Sequence, residues 1–93
     1  MKYYKWFWDE PLGGEFDAWG TSTYFFEIRD NFYATRQIEV YENGNVLFYD
    51  KAHFWDDYGM LCDKPIGKEE MQEFEITKAE FEDVWQTKIP TNR

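Results

Sequence analysis

The side chains best suited to chemistry in this 93-residue sequence lie around its single histidine. His53 is followed by Asp56 and Asp57, a mixed nitrogen and oxygen set of the kind that ligates metal ions. Adjacent carboxylates seldom point at one ion, and the sequence holds no second histidine, so we expect no metal site here. No pair of carboxylates has a spacing that is diagnostic of acid–base catalysis or metal-assisted hydrolysis. The sequence therefore predicts no catalytic residues.

Cys62 is the only cysteine and the other potentially reactive side chain. With His53 it would make a nucleophile and a base, but the sequence offers no evident third group to orient the histidine. A lone cysteine is more often a small packed residue, and it allows neither an intrachain disulfide nor a paired-cysteine zinc site. We expect a protein that is not an enzyme, that carries no cofactor and that resides in a reducing compartment.

Charge restricts the choice of partner. The net charge is −9, and residues 50–83 contribute −7 of it, with eleven acids against four lysines. Such a field repels phosphate backbones and anionic lipid head groups and attracts basic proteins. We therefore predict a basic protein partner, with no direct contact to nucleic acid or membrane. The plain alternative is that the acidity serves only solubility.

The apolar run near the start of the chain does not change this interpretation. Residues 6–8 are aromatic, but Asp9 and Glu10 end the run far short of a signal-peptide core or a membrane span. The sequence therefore predicts a cytoplasmic protein.

Four strands and one helix are expected to position these residues. The stretches 3–9, 21–29, 32–42 and 45–50 are rich in aromatic and β-branched residues and are typical of strands. Residues 73–76 alternate polar and apolar and are a candidate short fifth strand. Thr77 and Glu80 have capping-box spacing and predict a helix to about Lys88. The predicted fold is a single α+β domain over residues 1–93, a four-stranded antiparallel meander with its C-terminal helix packed on one face.

Two turns set the predicted register of the strands. Asn43-Gly44 favours a two-residue type I′ hairpin. The residues that this register sends to the core face are Ile38, Val40, Leu47 and Tyr49. A two-residue turn at Asp30-Asn31 places Phe25 opposite Arg36, with Glu27 diagonal to it on the same face. Since an unpaired buried charge is costly, we expect an ion pair between Arg36 and Glu27.

Aromatic residues and acids together indicate a binding surface. The chain has five tryptophans, and each ring buries on the order of 150–250 Å². A core of this size cannot enclose all five, so some should be exposed. Exposed rings beside acids are typical of protein interfaces, although they also suit sugar stacking. We predict one negative surface formed by the long loop at residues 51–67 and the outer face of the helix. Its predicted partner-binding residues are Trp55, Asp56, Asp57, Tyr58, Glu69, Glu70, Glu73 and Asp83.

Three short segments carry a family resemblance: RQIEVY at residues 36–41, Asn43-Gly44, and FEDVW at residues 81–85. Together with the Tyr- and Trp-rich first strand, they resemble a family of small uncharacterised bacterial domains. The resemblance implies the fold and brings no established activity with it. In class, members of that family look like the immunity proteins of contact-dependent inhibition toxin systems, whose partners are often basic nucleases.

These features lead to three hypotheses. The first is an immunity-type protein that neutralises a basic toxin, such as a nuclease, by covering its active site with the acidic surface. The second is a phage or mobile-element protein that mimics DNA to block a nuclease or a repressor. The third is a small enzyme or ligand-binding domain that uses the loop at residues 51–67. Salt-dependent binding to a basic partner favours the first hypothesis, and competition by DNA favours the second.

Overall fold

A computed structural model describes residues 1–11, 13–66 and 68–93, without the side chains of Lys68 and Glu70. The strands are β1 (Lys2–Trp8), β2 (Ser22–Ile28), β3 (Ala34–Tyr41), β4 (Val46–Asp50) and β5 (Glu75–Ile76). The α-helices are α1 (Lys68–Met71) and α2 (Lys78–Thr87), and 3-10 segments cover Gly14–Trp19 and Gln72–Phe74. The strands form one antiparallel sheet in the order β4-β3-β2-β1-β5. The predicted α+β meander with its C-terminal helix is confirmed.

Helix α2 covers one face of the sheet, called the helix face below. The Thr77 hydroxyl accepts a hydrogen bond from the backbone N–H of Glu80 at 3.1 Å, which is the predicted N-cap. The α2 residues Phe81 and Trp85 pack on the sheet, where Trp85 stacks on Phe48 with ring centroids 4.7 Å apart. Burial of each such side chain stabilises the fold by roughly 1.5–3 kcal/mol.

The hairpin between β3 and β4 has a register one residue away from the predicted one. Tyr41 N donates to Asn45 O at 2.9 Å, and Gly44 N donates to Tyr41 O at 2.9 Å, so the loop holds three residues. Gly44 has a φ of 96°, the left-handed conformation that a three-residue loop requires of its last residue. Ile38 consequently pairs with Phe48 and not with Tyr49.

This shift changes which side chains of β4 meet the helix. Val46 and Phe48 belong to the cluster under α2, while Leu47 and Tyr49 lie on the opposite face. The prediction that Leu47 and Tyr49 share the face of Ile38 is therefore wrong. A shift of one residue moves every side chain of a strand to the other face.

Strands β2 and β3 also differ from the predicted register. Glu27 pairs directly with Arg36, in the place predicted for Phe25. The connection is longer than two residues, because Arg29 N donates to Tyr33 O at 2.9 Å. The expected ion pair is present, with Arg36 Nε 3.0 Å from Glu27 Oε1 and Arg36 Nη2 2.6 Å from Glu27 Oε2.

The second face of the sheet, called the loop face below, is covered as well. Residues 54–66, the 3-10 segment Gly14–Trp19 and α1 pack against it, so the sheet is the middle of three layers. Its buried hydrophobic side chains are Tyr4, Phe26, Ile28, Ala34, Tyr41, Leu47 and Tyr49, and Met71 of α1 packs with them. Much of the predicted loop at residues 51–67 therefore works as a layer of the core; Gly67 lies outside the described residues.

The end of the chain lines the outer edge of β4. Thr91 N donates to Val46 O at 2.6 Å, and Val46 N donates to the Thr91 hydroxyl at 2.9 Å. The Asn92 side chain accepts from Phe48 N at 3.0 Å and donates to Phe48 O at 3.1 Å. The Asn92 side chain thus makes the backbone hydrogen bonds that a neighbouring strand would make at Phe48. No helix in the described part of the chain is long and apolar enough to cross a membrane.

Candidate functional site

The Arg36 side chain lies at the centre of the helix face. Besides Glu27 it contacts the carboxylate of Glu82, and its guanidinium lies 4.9 Å from the ring centroids of both Phe81 and Trp85. Hydrogen bonds from Arg36 lower the pKa of Glu27 to about 2, and this effect outweighs the burial that would raise it. Each polar group of this cluster has a partner inside the protein, so the cluster stabilises α2 on the sheet.

A small hairpin at residues 54–61 stands on the loop face. Trp55 and Met60 pair across it, and Asp56 N donates to Gly59 O at 2.9 Å. We call this segment the 54–61 hairpin. It is the short ordered element within the predicted long loop.

The carboxylate of Asp56 fastens this hairpin to the rest of the protein. It accepts from the Tyr49 hydroxyl (2.9 Å), Tyr58 N (2.9 Å), Gly59 N (3.2 Å) and Asn92 Nδ2 (2.8 Å), and it lies 2.7 Å from His53 Nε2. Burial would raise the pKa of Asp56, but these hydrogen bonds outweigh it and hold the pKa below its usual range. The predicted partner-binding role of Asp56 does not fit this geometry, because its oxygens are occupied internally.

Four other side chains of the hairpin are exposed, whereas Leu61 packs against the loop face. Phe54, Trp55 and Met60 are 52%, 63% and 49% exposed, and Asp57 is exposed beside them. We call these four residues the hairpin patch. Tyr58, predicted as an anchor with Trp55, is only partly free, because its ring packs 5.6 Å from that of Trp19. The expectation that some tryptophans are exposed is confirmed.

The remaining acids predicted for the binding surface do not all join this patch. Glu69 and Glu73 are exposed on segments that pack on the loop face. Asp83 is exposed on α2, which packs on the helix face, so the sheet separates it from them. The side chain of Glu70 lies outside the described residues. The structure thus divides the predicted acidic surface between two layers.

Sequence reasoning missed a buried carboxylate on the loop face. Glu39 accepts from Gln37 Nε2 at 2.7 Å and from the Tyr41 hydroxyl. Gln37 is itself fixed, since its Oε1 accepts from Cys62 N at 2.8 Å and its Nε2 donates to Met60 O at 3.2 Å. Burial raises the pKa of Glu39. The one signal in the sequence was the alternation of side chains along β3. Glu39 lies on the same face of the strand as Gln37 and Tyr41, so it is buried when that face is covered.

Metal binding gains no support from the geometry around His53. Its ring nitrogen contacts Asp56, and within the described part of the chain no group of three His, Cys, Asp or Glu residues could hold a metal ion. Cys62 is half-buried and packs with the loop-face residues, as a small packed residue does.

Comparisons of this chain with protein-family models, curated proteins and solved structures found no match. Functional roles are therefore assigned from side-chain geometry and charge. The Arg36 cluster and Asp56 are satisfied internally. The hairpin patch is a group of exposed side chains on a hairpin that the Asp56 carboxylate fastens.

Proposed function

We propose that this protein is a cytoplasmic, immunity-type inhibitor that binds and neutralises a basic bacterial toxin through the hairpin patch. The observation that carries the proposal is the exposure of Phe54, Trp55 and Met60 on a hairpin that the Asp56 carboxylate holds in place. Tryptophan is among the residues most enriched at binding hot spots. A hairpin already fixed before binding loses little conformational entropy on association.

Charge supports the choice of a basic partner. The chain carries −9, Asp57 lies within the patch, and Glu69 and Glu73 are exposed in the same layer. A toxin that acts on nucleic acid presents positive charge to its substrate. An acidic inhibitor with an apolar anchor can therefore cover that site, and the field speeds the encounter at low salt.

The test uses the protein encoded immediately upstream of this gene, because immunity genes lie beside their toxins. Binding of the purified pair is measured by calorimetry at two salt concentrations. We expect Trp55→Ala to lower the affinity by about 30-fold or more, the loss typical of a hot-spot residue. We expect Asp57→Lys to slow association most strongly at low salt.

Ile89→Ala is the matched control, since Ile89 is 86% exposed and apolar but follows α2 in sequence and is not part of the hairpin patch. It should leave the affinity unchanged. Co-expression should protect cells from the toxin, and Trp55→Ala should abolish protection. The proposal is wrong if Trp55→Ala and Ile89→Ala bind equally well. Competition between this protein and DNA for a host DNA-binding protein would instead favour the DNA-mimic hypothesis.

A further inference from the structure

A pocket of about 350 Å³ lies between the loop face of the sheet and the 54–61 hairpin. Ligand pockets in proteins range from about 300 to 1,000 Å³, so it has room for a small group. Six of its lining residues are Trp6, Tyr24, Gln37, Glu39, Tyr41 and Tyr58. Four of these are aromatic, and one is the buried carboxylate.

The charge of Glu39 is not compensated by its hydrogen-bond partners. The side chain is only 6% exposed, and both Gln37 and the Tyr41 hydroxyl are neutral donors. Among the described residues, no ion pair includes Glu39. Asp56 acts on it as a second negative charge. A carboxylate in this position favours a positively charged ligand and repels an anion.

The rings of the pocket have the same preference. The face of an aromatic ring carries partial negative charge and attracts a cation held near it. Trp6 and Tyr24 lie side by side, with ring centroids 6.5 Å apart, and Tyr41 adds a ring beside the carboxylate. Rings around one carboxylate suit an organic ammonium group, because its alkyl part can replace water in the apolar lining.

We infer that this pocket binds an alkylammonium group. The group belongs either to a free small amine or to a lysine side chain, and its chemistry is the same in both cases. Met60 lines the pocket and also belongs to the hairpin patch. The inference does not depend on the proposed toxin binding, because the carboxylate and the rings that hold the ammonium group lie outside that patch. The Glu39 carboxylate pairs with the ammonium, and the rings enclose its carbon atoms.

The experiment titrates the full chain with n-butylammonium and, separately, with neutral n-butanol of similar size. Binding is followed by NMR of the tryptophan indole N–H groups. We expect n-butylammonium to bind at least tenfold more tightly than n-butanol and to shift the signal of Trp6. The signal of Trp55 should not move, because its side chain points outward on the hairpin.

Glu39→Gln should abolish the preference for the cation while leaving the melting curve cooperative. Glu15→Gln, an exposed acid on the 3-10 segment Gly14–Trp19, is the matched control and should keep the preference. A lysine capped at both ends as amides distinguishes the two sources. Tighter binding of the capped lysine than of n-butylammonium indicates a lysine from a protein, and weaker binding indicates a free amine.

Three results would overturn the inference. They are equal affinities for n-butylammonium and n-butanol, an unchanged preference in Glu39→Gln, and a shift confined to Trp55. A loss of folding in Glu39→Gln would move the test to Tyr41→Phe. That variant keeps the ring but removes a hydrogen bond to the carboxylate, so it should change the affinity for n-butylammonium and leave that for n-butanol unchanged.

Discussion

Glu27 and Glu39 are both buried in the same sheet, on neighbouring strands, yet they have opposite electrostatic surroundings. On the helix face, Arg36 pairs with Glu27 and holds the pKa of the Glu27 carboxyl at about 2. On the loop face, Glu39 meets neutral donors beside a pocket, and burial raises its pKa. A charge that is matched internally stabilises a fold, whereas an unmatched charge beside a cavity is typical of a binding site.

The packing of the two faces shows the same contrast. Under α2, Phe81 is fully buried and Trp85 stacks on Phe48. The loop face has a pocket of about 350 Å³ at Glu39 and another of about 350 Å³ next to it, lined by Trp6 and Met71. The helix face is therefore closely packed around Phe81 and Trp85, whereas the loop face has retained space.

Arg36→Met should have the largest effect, because it leaves Glu27 buried without its cation and removes the contacts to Phe81 and Trp85. We expect the free energy of unfolding to fall by about 3–5 kcal/mol, measured by urea denaturation. The control is Lys2→Met, which breaks the exposed 3.3 Å ion pair between Lys2 and Glu75 and should cost less than about 1 kcal/mol. Similar losses in the two variants would mean that the buried Arg36 ion pair stabilises the fold no more than an exposed ion pair does.

Acid should remove the contribution of Glu27. Its pKa in the folded state lies below the ordinary 4.5, so its stabilisation is complete above that value and is lost as the pH falls through about 2. The contribution is on the order of 3 kcal/mol. Urea denaturation of the natural protein and of Glu27→Gln should therefore differ strongly at pH 7 and converge near pH 2. A constant difference across this range would contradict the role given to the ion pair.

Asp56→Ala should destabilise the loop face by about 2–3 kcal/mol, because it leaves donors such as the Tyr49 hydroxyl and Gly59 N without an acceptor. Hydrogen exchange at the amides of Tyr58 and Gly59 should become faster. Asp57→Ala is the adjacent control and should change stability by less than about 0.5 kcal/mol. Equal effects of the two substitutions would show that Asp56 does not fasten the hairpin.

Glu39→Gln should have the smallest effect and the opposite sign. Since the pKa of Glu39 is raised in the folded state, its contribution to stability is present at low pH and is lost as the pH rises through that pKa. Glutamine resembles the protonated form, so we expect a gain of about 1 kcal/mol at pH 8 that disappears near pH 4. Thermal melts at the two pH values measure this gain in stability. If Glu39→Gln is instead less stable than the natural protein at pH 8, the charge of the Glu39 carboxylate is compensated within the folded protein.

The sequence predicted the helix face of the sheet better than the loop face. The strands, the Thr77 cap and the Arg36–Glu27 pair follow from local patterns and from the cost of burying a charge. The register of β4 did not, because Asn43-Gly44 suits both a two-residue loop and a three-residue loop that ends in glycine. The run at residues 46–49 is apolar at every position, so either register buries apolar side chains.

The candidate site was predictable only in part. Trp55 and Asp57 are exposed as their type and position suggested. The internal role of Asp56 depends on contacts to Tyr49 and Asn92, 7 and 36 residues away in sequence, which no local pattern reveals. The pocket at Glu39 requires both the loop layer and the sheet, so it exists only in the folded chain.

The hydrogen bonds of Thr91 and Asn92 along β4 have a consequence for how the protein behaves at high concentration. Residues 46–49 form a short, uncharged, strand-forming segment at the outer edge of a sheet. An uncovered edge of this kind recruits strands from other molecules and leads to domain swapping or fibrils. Three polar residues at the end of the chain occupy the edge without adding a strand of their own. Their contacts therefore block the edge of β4 from pairing with strands of other molecules.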